Sequence, residues 1–306
     1  MDRREFLRLA GIAAGIAALP ASVSRLGAAA DPQVPVAMAR GGSHGGNAEK
    51  AVAALGGMKA FVSRGDVVVV KPNIGWDRTP EQAANTHPDV VVAVASMCLA
   101  AGAKSVRVFD RTCNEARRCY ASSGIQEAVE RFAKKNGVAD ALRVYHVEGR
   151  KFVRTEIKGA LALSSWELYR DVLEADKLVN VPIAKHHSLS DVTLGMKNLM
   201  GVMGGNRGQI HFRIPECLVD VNRRLPSHLT VIDASRVLLR NGPSGGDLAD
   251  VQNFGAAFAS GNVVAADVAA AEAVFGLKAE SVAHLRKALE SGLGISSPSQ
   301  VRLLRV

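Results

Sequence analysis

Short runs of β-branched residues alternate with longer stretches of helical spacing along most of the chain. Residues 67–70 form a continuous apolar run, and residues 105–109 and 229–238 are further predicted strands. Between the first two runs, Pro88 begins a segment in which apolar residues recur every three or four positions, as in a helix. Apolar strands without polar alternation are typical of a parallel sheet covered on both faces. The pattern therefore predicts an α/β fold with a mostly parallel sheet and helices on both faces.

The same reasoning extends to the rest of the chain. Further strands are predicted at 34–39, 142–147, 152–157, 177–183 and 254–259. Helices are predicted at 47–61, 166–175, 191–203, 215–225, 262–275 and 280–291. Residues 138–165 depart from the alternation of strand and helix. We therefore expect one domain over residues 31–306, or two closely joined lobes, with a second lobe or an insertion starting near residue 138.

The first thirty residues have the pattern of an export signal. A charged start is followed by an uncharged run at 9–19, which is too short to cross a hydrocarbon core of about 30 Å as a helix. Ala30 closes a run of small residues that a signal peptidase accepts, so cleavage is expected after it. Arg3 and Arg4, followed by Glu-Phe-Leu-Arg, resemble a twin-arginine signal; an ordinary secretory signal is the alternative. We expect the twin-arginine translocase as a partner, a periplasmic location and no stable membrane span.

Charge and cysteine content narrow the function. The 306 residues contain 38 Lys and Arg against 29 Asp and Glu, a net charge of +9. No basic block exceeds two residues and aromatic residues are few, so nucleic-acid binding is not expected, whereas a small anionic ligand is favoured. The four cysteines form no C-x-x-C pair, so no iron–sulfur module is expected. Cys113 and Cys119 are spaced such that a disulfide could form after export.

Polar residues follow four of the predicted strands. In an open α/β sheet, ligands bind at the carboxyl ends of the strands. We therefore expect one rim to carry Lys71 and Asn73, Asp110, Lys185 and His187, and Asp233. Taken singly, each lysine is as well explained by a solvated strand end, and each aspartate by a turn or helix cap.

Two other segments carry candidate chemistry. Lys197 and Asn198 interrupt the apolar helix predicted at 191–203, on which Thr193 and Lys197 would share a face. The glycine-rich loop at 241–247 contains Gly242 and Gly245, whose backbone N–H groups could approach an anion. No dinucleotide-binding or P-loop spacing occurs.

A metal ion is the cofactor expected from the side chains. Either a divalent or a redox metal is considered, because imidazole and carboxylate groups suit both. No spacing rule identifies the ligands. The candidates are His187, His211, Asp110, Asp233 and Asp267.

An ordered set of motifs resembles the domain-of-unknown-function family numbered 362. These motifs are K-P-N at 71–73, V-P-x-x-K-x-H at 181–187, M-K-N-L-M-G at 196–201, V-I-D at 231–233, G-P-x-x-G at 242–245 and V-A-A-D at 264–267. Many members of that family carry an appended iron–sulfur module, which implies redox work; this chain lacks one, so its electron partner would be a separate protein. The resemblance selects Lys71, Asn73, Asp110, Lys185, His187, Lys197, Asn198, His211, Asp233 and Asp267.

Three hypotheses follow from these observations. The first is an exported metal- or redox-cofactor-dependent enzyme acting on a small anion, with Lys71, Lys185, Lys197 and Asn198 in catalytic roles and Asn73, Gly242 and Gly245 binding the cofactor. The second is an exported protein that binds a small anion without catalysis. The third is an accessory partner of another exported redox protein.

Overall fold

The strands of the structure coincide with the β-branched runs of the sequence. The structure, a computed structural model, describes residues 32–306; the predicted export signal lies outside the described residues. Its strands are β1 (Val34–Arg40), β2 (Val67–Pro72), β3 (Ser105–Val108), β4 (Leu142–Val144), β5 (Phe152–Glu156), β6 (Ser165–Tyr169), β7 (Lys177–Val181), β8 (Ile183–His187), β9 (Asp191–Thr193), β10 (Leu229–Leu238), β11 (Val251–Ser260) and β12 (Val301–Arg305).

The helices lie between these strands and after them. They are α1 (His44–Ala53), α2 (Pro88–Ala100), α3 (Ala116–Ser122), α4 (Ile125–Lys135), α5 (Arg170–Leu173), α6 (Gly195–Asn198), α7 (Ile214–Arg224), α8 (Val263–Phe275) and α9 (Ala283–Glu290). Two 3₁₀ segments, Leu199–Val202 and Arg207–Arg213, matter for the site. None of the helices within 32–306 has the length and apolar character that a membrane crossing requires.

Ten strands form one sheet in the order β12-β1-β11-β10-β7-β2-β3-β4, with β8 pairing to β10 and to β9. Pairing is parallel from β10 through β7, β2 and β3 to β4, and again between β1 and β12. Only β11, between β1 and β10, and β9 pair antiparallel within this sheet, while β5 and β6 form a separate hairpin. The predicted α/β class with a mostly parallel sheet is therefore confirmed.

The central strand β2 shows why the sheet is covered on both sides. Val68 and Val70 are fully buried in the core cluster that contains α1, α2 and α4, whereas Val69 is fully buried in the cluster of α7, α8 and α9. Successive side chains of a strand point to opposite faces, so an uninterrupted apolar run is needed to fill both layers. Each buried valine stabilises the fold by about 1.5–2 kcal/mol.

The strand that begins as β7 is interrupted at Pro182 and continues as β8, which bears polar residues of the site. β7 ends at Val181 and β8 starts at Ile183, with Pro182 between them unable to donate to a strand ladder. The carbonyl of Pro182 still accepts a hydrogen bond from Asp233 N at 2.8 Å. The chain therefore continues past the carboxyl end of β7 and extends β8 over the rim of the sheet.

Residues 33–306 fall into one compact unit, which includes the segment from residue 138 that was considered as a second lobe. That segment does differ from the main sheet, because it supplies the β5–β6 hairpin.

Two of the helix predictions were partly wrong. Residues 166–175 form β6 and only one turn of helix, since Ser165–Tyr169 pairs along its whole length with Phe152–Glu156. Residues 191–203 begin as β9, pairing with Lys185–His187, and become helical only at Gly195. Local β-pairing outweighed the helical spacing in both places.

Candidate functional site

The carboxyl ends of β2 and β3 open into a cavity of about 530 Å³. β8, β9, α6 and the 3₁₀ segment Arg207–Arg213 complete its wall. Its charged lining comprises five basic side chains and one carboxylate, together with two imidazoles: Lys71, Lys185, Lys197, Arg111, Arg207, Asp110, His187 and His211. Eight of the twelve predicted site residues line this cavity, including Asn73 and Asn198.

The single carboxylate is already neutralised. Lys71 Nζ lies 2.8 Å from Asp110 Oδ1, and both side chains are almost completely buried. Asp110 Oδ2 accepts a hydrogen bond from Ile74 N at 2.7 Å, which fixes the carboxylate. Burial lowers the pKa of Lys71, while the Asp110 charge opposes that shift. Within residues 32–306, no other carboxylate forms an ion pair with the remaining basic groups of the cavity.

Gly201 makes the close approach of this pair possible. An added Cβ at this position would lie 1.7 Å from Asp110 Oδ1 and 2.5 Å from Lys71 Nζ, well inside contact distance. The Gly201 carbonyl also accepts from Arg111 N at 2.9 Å. Only glycine fits here, for reasons of space.

Asn198 organises the floor of the cavity. Its Oδ1 accepts hydrogen bonds from Lys71 Nζ and from Asn73 Nδ2, each at 3.0 Å. Its Nδ2 donates to Lys71 O at 3.1 Å and to Asn180 Oδ1 at 2.8 Å. All of these polar atoms are therefore held in one arrangement, as a preorganised site requires.

Lys185 is buried against neutral oxygens. Its Nζ donates to Ala84 O at 2.5 Å and lies 3.3 Å from Asn73 Oδ1. Burial lowers the pKa of Lys185 to about 7; Cys113 and Asp110 oppose this shift, whereas the positive charges of Lys197 and Lys71 add to it.

The amine of Lys197 has fewer hydrogen-bond partners than that of Lys185. Among the described residues, its Nζ has one hydrogen-bond partner, the sulfur of Met200 at 3.3 Å. The side chain is 5% exposed. Burial lowers the pKa of Lys197 to about 8; Cys113 opposes this shift, and the charge of Arg207 adds to it.

Two histidines face the cavity with complementary protonation. On β8, Lys185 and His187 lie on one face, and His186 between them instead accepts from Gly242 N. His187 Nδ1 accepts from Leu189 N at 3.1 Å, so the proton of the neutral ring sits on Nε2. Burial lowers the pKa of His187 to about 2, which keeps the ring neutral.

His211 has the opposite tautomer. Its Nδ1 lies 2.9 Å from Gly208 O, and because a carbonyl only accepts, Nδ1 carries the proton and Nε2 is an acceptor. Burial lowers the pKa of His211 as well. The two rings are stacked with centroids 6.1 Å apart, which places one imidazole donor and one imidazole acceptor on the same wall.

Four predicted residues lie outside this lining. Asp233 Oδ2 accepts from His87 N, and its Oδ1 accepts from Ser235 N. Gly242 packs against β8, since an added Cβ would meet His186 O at 2.0 Å, and Gly245 packs against Leu238. Pro243, in the same loop, does line the cavity. Gly242 and Gly245 were expected to approach a ligand, but in the structure they pack against strands and do not line the cavity.

Asp267 is the fourth of these residues. Both its carboxylate oxygens accept backbone hydrogen bonds at the start of α6, from Gly195 N at 2.7 Å and Met196 N at 2.8 Å. Burial raises the pKa of Asp267 to about 7, against the effect of these two donors. Its role is to hold the turn of helix that presents Lys197 and Asn198.

The five expected metal ligands do not converge. His187, His211 and Asp110 line the cavity, but Asp110 is paired with Lys71, and Asp233 and Asp267 are bound to backbone N–H groups elsewhere. Over residues 32–306, no three His, Cys, Asp or Glu side chains are grouped as a metal site requires. Cys113 and Cys119 are both free thiols, the first exposed and the second buried.

Several lining residues were not among the predicted site residues. Arg111 follows Asp110 at a strand end, and Arg207 lies in a glycine-rich loop. The conformation of these loops brings both side chains to the cavity, and the sequence pattern does not predict that conformation. The guanidinium of Arg207 donates to the carbonyls of Arg111 and Thr112, which secures it beside Cys113. Asn180, which does not line the cavity but accepts a hydrogen bond from Asn198, had a detectable signal: it is a polar residue inside an otherwise apolar strand.

A family model described as Domain of unknown function (DUF362) matches residues 68–272. The chain belongs to this family. The matched DUF362 region contains every predicted site residue, from Lys71 to Asp267. The thylakoid-associated protein sll1697 of Synechocystis sp. is 30% identical over 208 residues, covering 64% of this chain. This DUF362 chain thus aligns with 60% of the length of that curated relative.

Two solved structures are distantly similar to the DUF362 chain. The lactate racemase apoprotein of Thermoanaerobacterium thermosaccharolyticum has 12% identity and a TM-score of 0.46, over 78% of this chain and 56% of the other. A protein from Thermotoga maritima has 12% identity and a TM-score of 0.37, over 66% and 52% respectively.

Proposed function

We propose that this protein binds a small organic anion in the cationic cavity and acts on it as an enzyme. One observation carries the proposal: Lys185 and Lys197 are buried at the cavity wall with no carboxylate partner among the described residues. A buried cation without a counter-charge is costly, and a bound anion removes that cost. The cavity volume suits a ligand of a few to a few tens of heavy atoms.

The lysine amines favour chemistry over binding alone. Burial lowers the pKa of Lys185 to about 7 and that of Lys197 to about 8, so both can exchange a proton near neutral pH. A group meant only to attract an anion would gain from remaining fully charged. The alternative, capture without catalysis, predicts that a bound anion is recovered unchanged.

Anion binding is tested by thermal denaturation and calorimetry with inorganic phosphate and with small carboxylates. A ligand at a hundred times its Kd stabilises the native state by about 2.7 kcal/mol. Lys197→Met removes one charge-assisted hydrogen bond, worth about 1.5–3 kcal/mol, and should weaken binding roughly tenfold or more. Lys104→Met removes the same charge from an exposed position and should bind as the wild type does. Equal affinities in the two variants would overturn the proposal.

Metal-assisted catalysis is a second candidate. It is supported by the shared wall position of His187 and His211, two imidazoles that could contribute to a site completed by the anion itself. Elemental analysis of the purified protein, with His187→Ala and His211→Ala beside it, tests this candidate. Stoichiometric metal that both variants lose would support it.

We also propose that the protein is exported through the twin-arginine pathway. The support is the sequence around Arg3 and Arg4 and the small residues ending at Ala30. A separate electron-transfer partner would be needed for redox catalysis, because no cysteine cluster occurs in the sequence.

A further inference from the structure

The amine of Lys197 differs from the other two lysine amines of the cavity in what surrounds it. Lys71 Nζ contacts three oxygens, those of Asp110, Pro72 and Asn198. Lys185 Nζ contacts two oxygens, those of Ala84 and Asn73. Lys197 Nζ contacts only the thioether of Met200, a weak acceptor. No oxygen within the described part of the chain therefore holds the protons of this amine.

Burial of Lys197, together with the charge of Arg207, favours the neutral form of its amine, against the opposing effect of Cys113. The basic groups near it are Arg207 and Lys185, and the titratable groups that complete its surroundings are Cys113, His187, His211 and His284. A lysine desolvated beside another cation is an activated nucleophile. With a pKa of about 8, a fraction on the order of a tenth of this amine is unprotonated at neutral pH.

An unused hydrogen-bond donor also lines the cavity. Thr193 lines the cavity and is 4% exposed, and its hydroxyl oxygen has no hydrogen-bond partner. Buried hydroxyls are rarely left unsatisfied, so a polar atom of a ligand is expected there. The cavity thus offers an amine nucleophile, a free hydroxyl and positive charge.

We propose that Lys197 forms an imine with a 2-oxo acid bound in this cavity. The proposal rests on the proposed function, because the carboxylate of the oxo acid is the anion that the basic side chains hold. The Nζ lone pair adds to the carbonyl carbon, so a C–N bond forms while the C=O π bond breaks and its electron pair moves to the oxygen. The oxygen then takes up a proton and the nitrogen loses one. The C–O bond of the resulting carbinolamine then breaks, the oxygen leaves as water with the remaining proton of the nitrogen, and a C=N bond forms. No oxidant or reductant is consumed.

Reductive trapping tests the proposal directly. The purified protein is incubated with pyruvate and sodium borohydride, and intact mass and a peptide map are recorded. We expect one irreversible adduct per chain, on the peptide that contains Lys197. Lactate, which has the carboxylate but no carbonyl, should slow the labelling. Lys197→Arg keeps the positive charge without the nucleophile and should lose the adduct, whereas Lys104→Arg should be labelled as the wild type is.

The peptide map of the wild type keeps the test decisive even where Lys197→Arg does not fold. An adduct on Lys185, or labelling spread over surface lysines, would overturn the assignment to Lys197. Lactate binding is measured separately by thermal shift. Lactate binding without any trapped adduct would refute the imine and leave the anion site intact, whereas no binding of either acid, together with no adduct, would refute both.

Discussion

Replacing Gly201 with alanine places a methyl group where the Lys71–Asp110 pair now lies. The new Cβ would be 1.7 Å from Asp110 Oδ1 and 2.5 Å from Lys71 Nζ, whereas ordinary contact begins near 3.4 Å. The carboxylate must therefore withdraw by about 1.7 Å, which separates the pair from its present 2.8 Å. The hydrogen bond from Ile74 N to Asp110 Oδ2 is disturbed by the same movement.

The expected loss is large relative to the stability of a domain. Disrupting a buried ion pair costs about 3–5 kcal/mol, against a total free energy of unfolding of about 5–15 kcal/mol. Gly201 is not among the glycines with positive φ, so the backbone adds no strain of its own. Urea unfolding followed by the fluorescence of the two tryptophans, one of which lines the cavity, measures this difference.

Gly149 provides a matched control. A Cβ at Gly149 meets nothing within 4 Å, so Gly149→Ala should change the free energy of unfolding by less than about 1 kcal/mol. A loss below about 1 kcal/mol for Gly201→Ala would refute the steric reasoning.

A double-mutant cycle isolates the cause of the loss. Asp110→Ala removes the carboxylate that the new methyl group strikes. If Gly201→Ala acts by displacing Asp110, the double variant should lose much less stability than the two single losses added together. Simple additivity would show that the methyl group acts through another contact.

Three further outcomes follow from the cavity and from the sequence. The folded protein binds fewer protons at Lys197 than the unfolded chain does, so this side chain should raise the free energy of unfolding between about pH 8 and pH 10, by up to about 3 kcal/mol. Urea titrations at each pH measure the rise, which Lys197→Met should reduce by that amount while the rise due to Lys185 remains. Cys113 is exposed beside Arg207 while the other three thiols are buried, so alkylation of the native protein should be confined to Cys113. Positive charge attracts the anionic reagent, so the ratio of the iodoacetate rate to the iodoacetamide rate should be at least about tenfold higher than for a free thiol. An unchanged rate ratio would contradict a cationic cavity. The double variant Arg3→Lys, Arg4→Lys should not be exported, as measured by cell fractionation. Edman sequencing of the exported wild-type protein should show residue 31 as the new N-terminus.

The sequence predicted the strands of the sheet well because their apolar runs have a direct physical cause. The runs around Val69 and at 229–238 must fill core on both sides of the sheet, and that requirement is visible residue by residue. It predicted β9 and β6 poorly, since both depend on pairing with partners elsewhere in the chain. The terminal strand β12 was also missed, and it pairs in parallel with β1, far away in sequence.

The candidate site was predictable only as far as the strand ends dictate it. Lys71, Asp110 and Lys185 follow buried strands, and the carboxyl ends of parallel strands meet at one rim. Asp267 has no such constraint, because its position depends on how α8 packs under α6. The sequence could not distinguish a residue that lines the cavity from one that supports its wall.

The hydrogen bonds that Asp267 accepts from the start of α6 also determine when the cavity can form during translation. A helix of one turn is not stable in isolation, and this one is anchored by a carboxylate 72 positions further along the chain. A ribosome-bound chain that ends before that carboxylate can contain Lys71, Lys185 and Lys197 and still lack the turn that presents the last of them. The proposed capture of an anion is therefore expected late in the maturation of this protein, after most of the polypeptide has emerged.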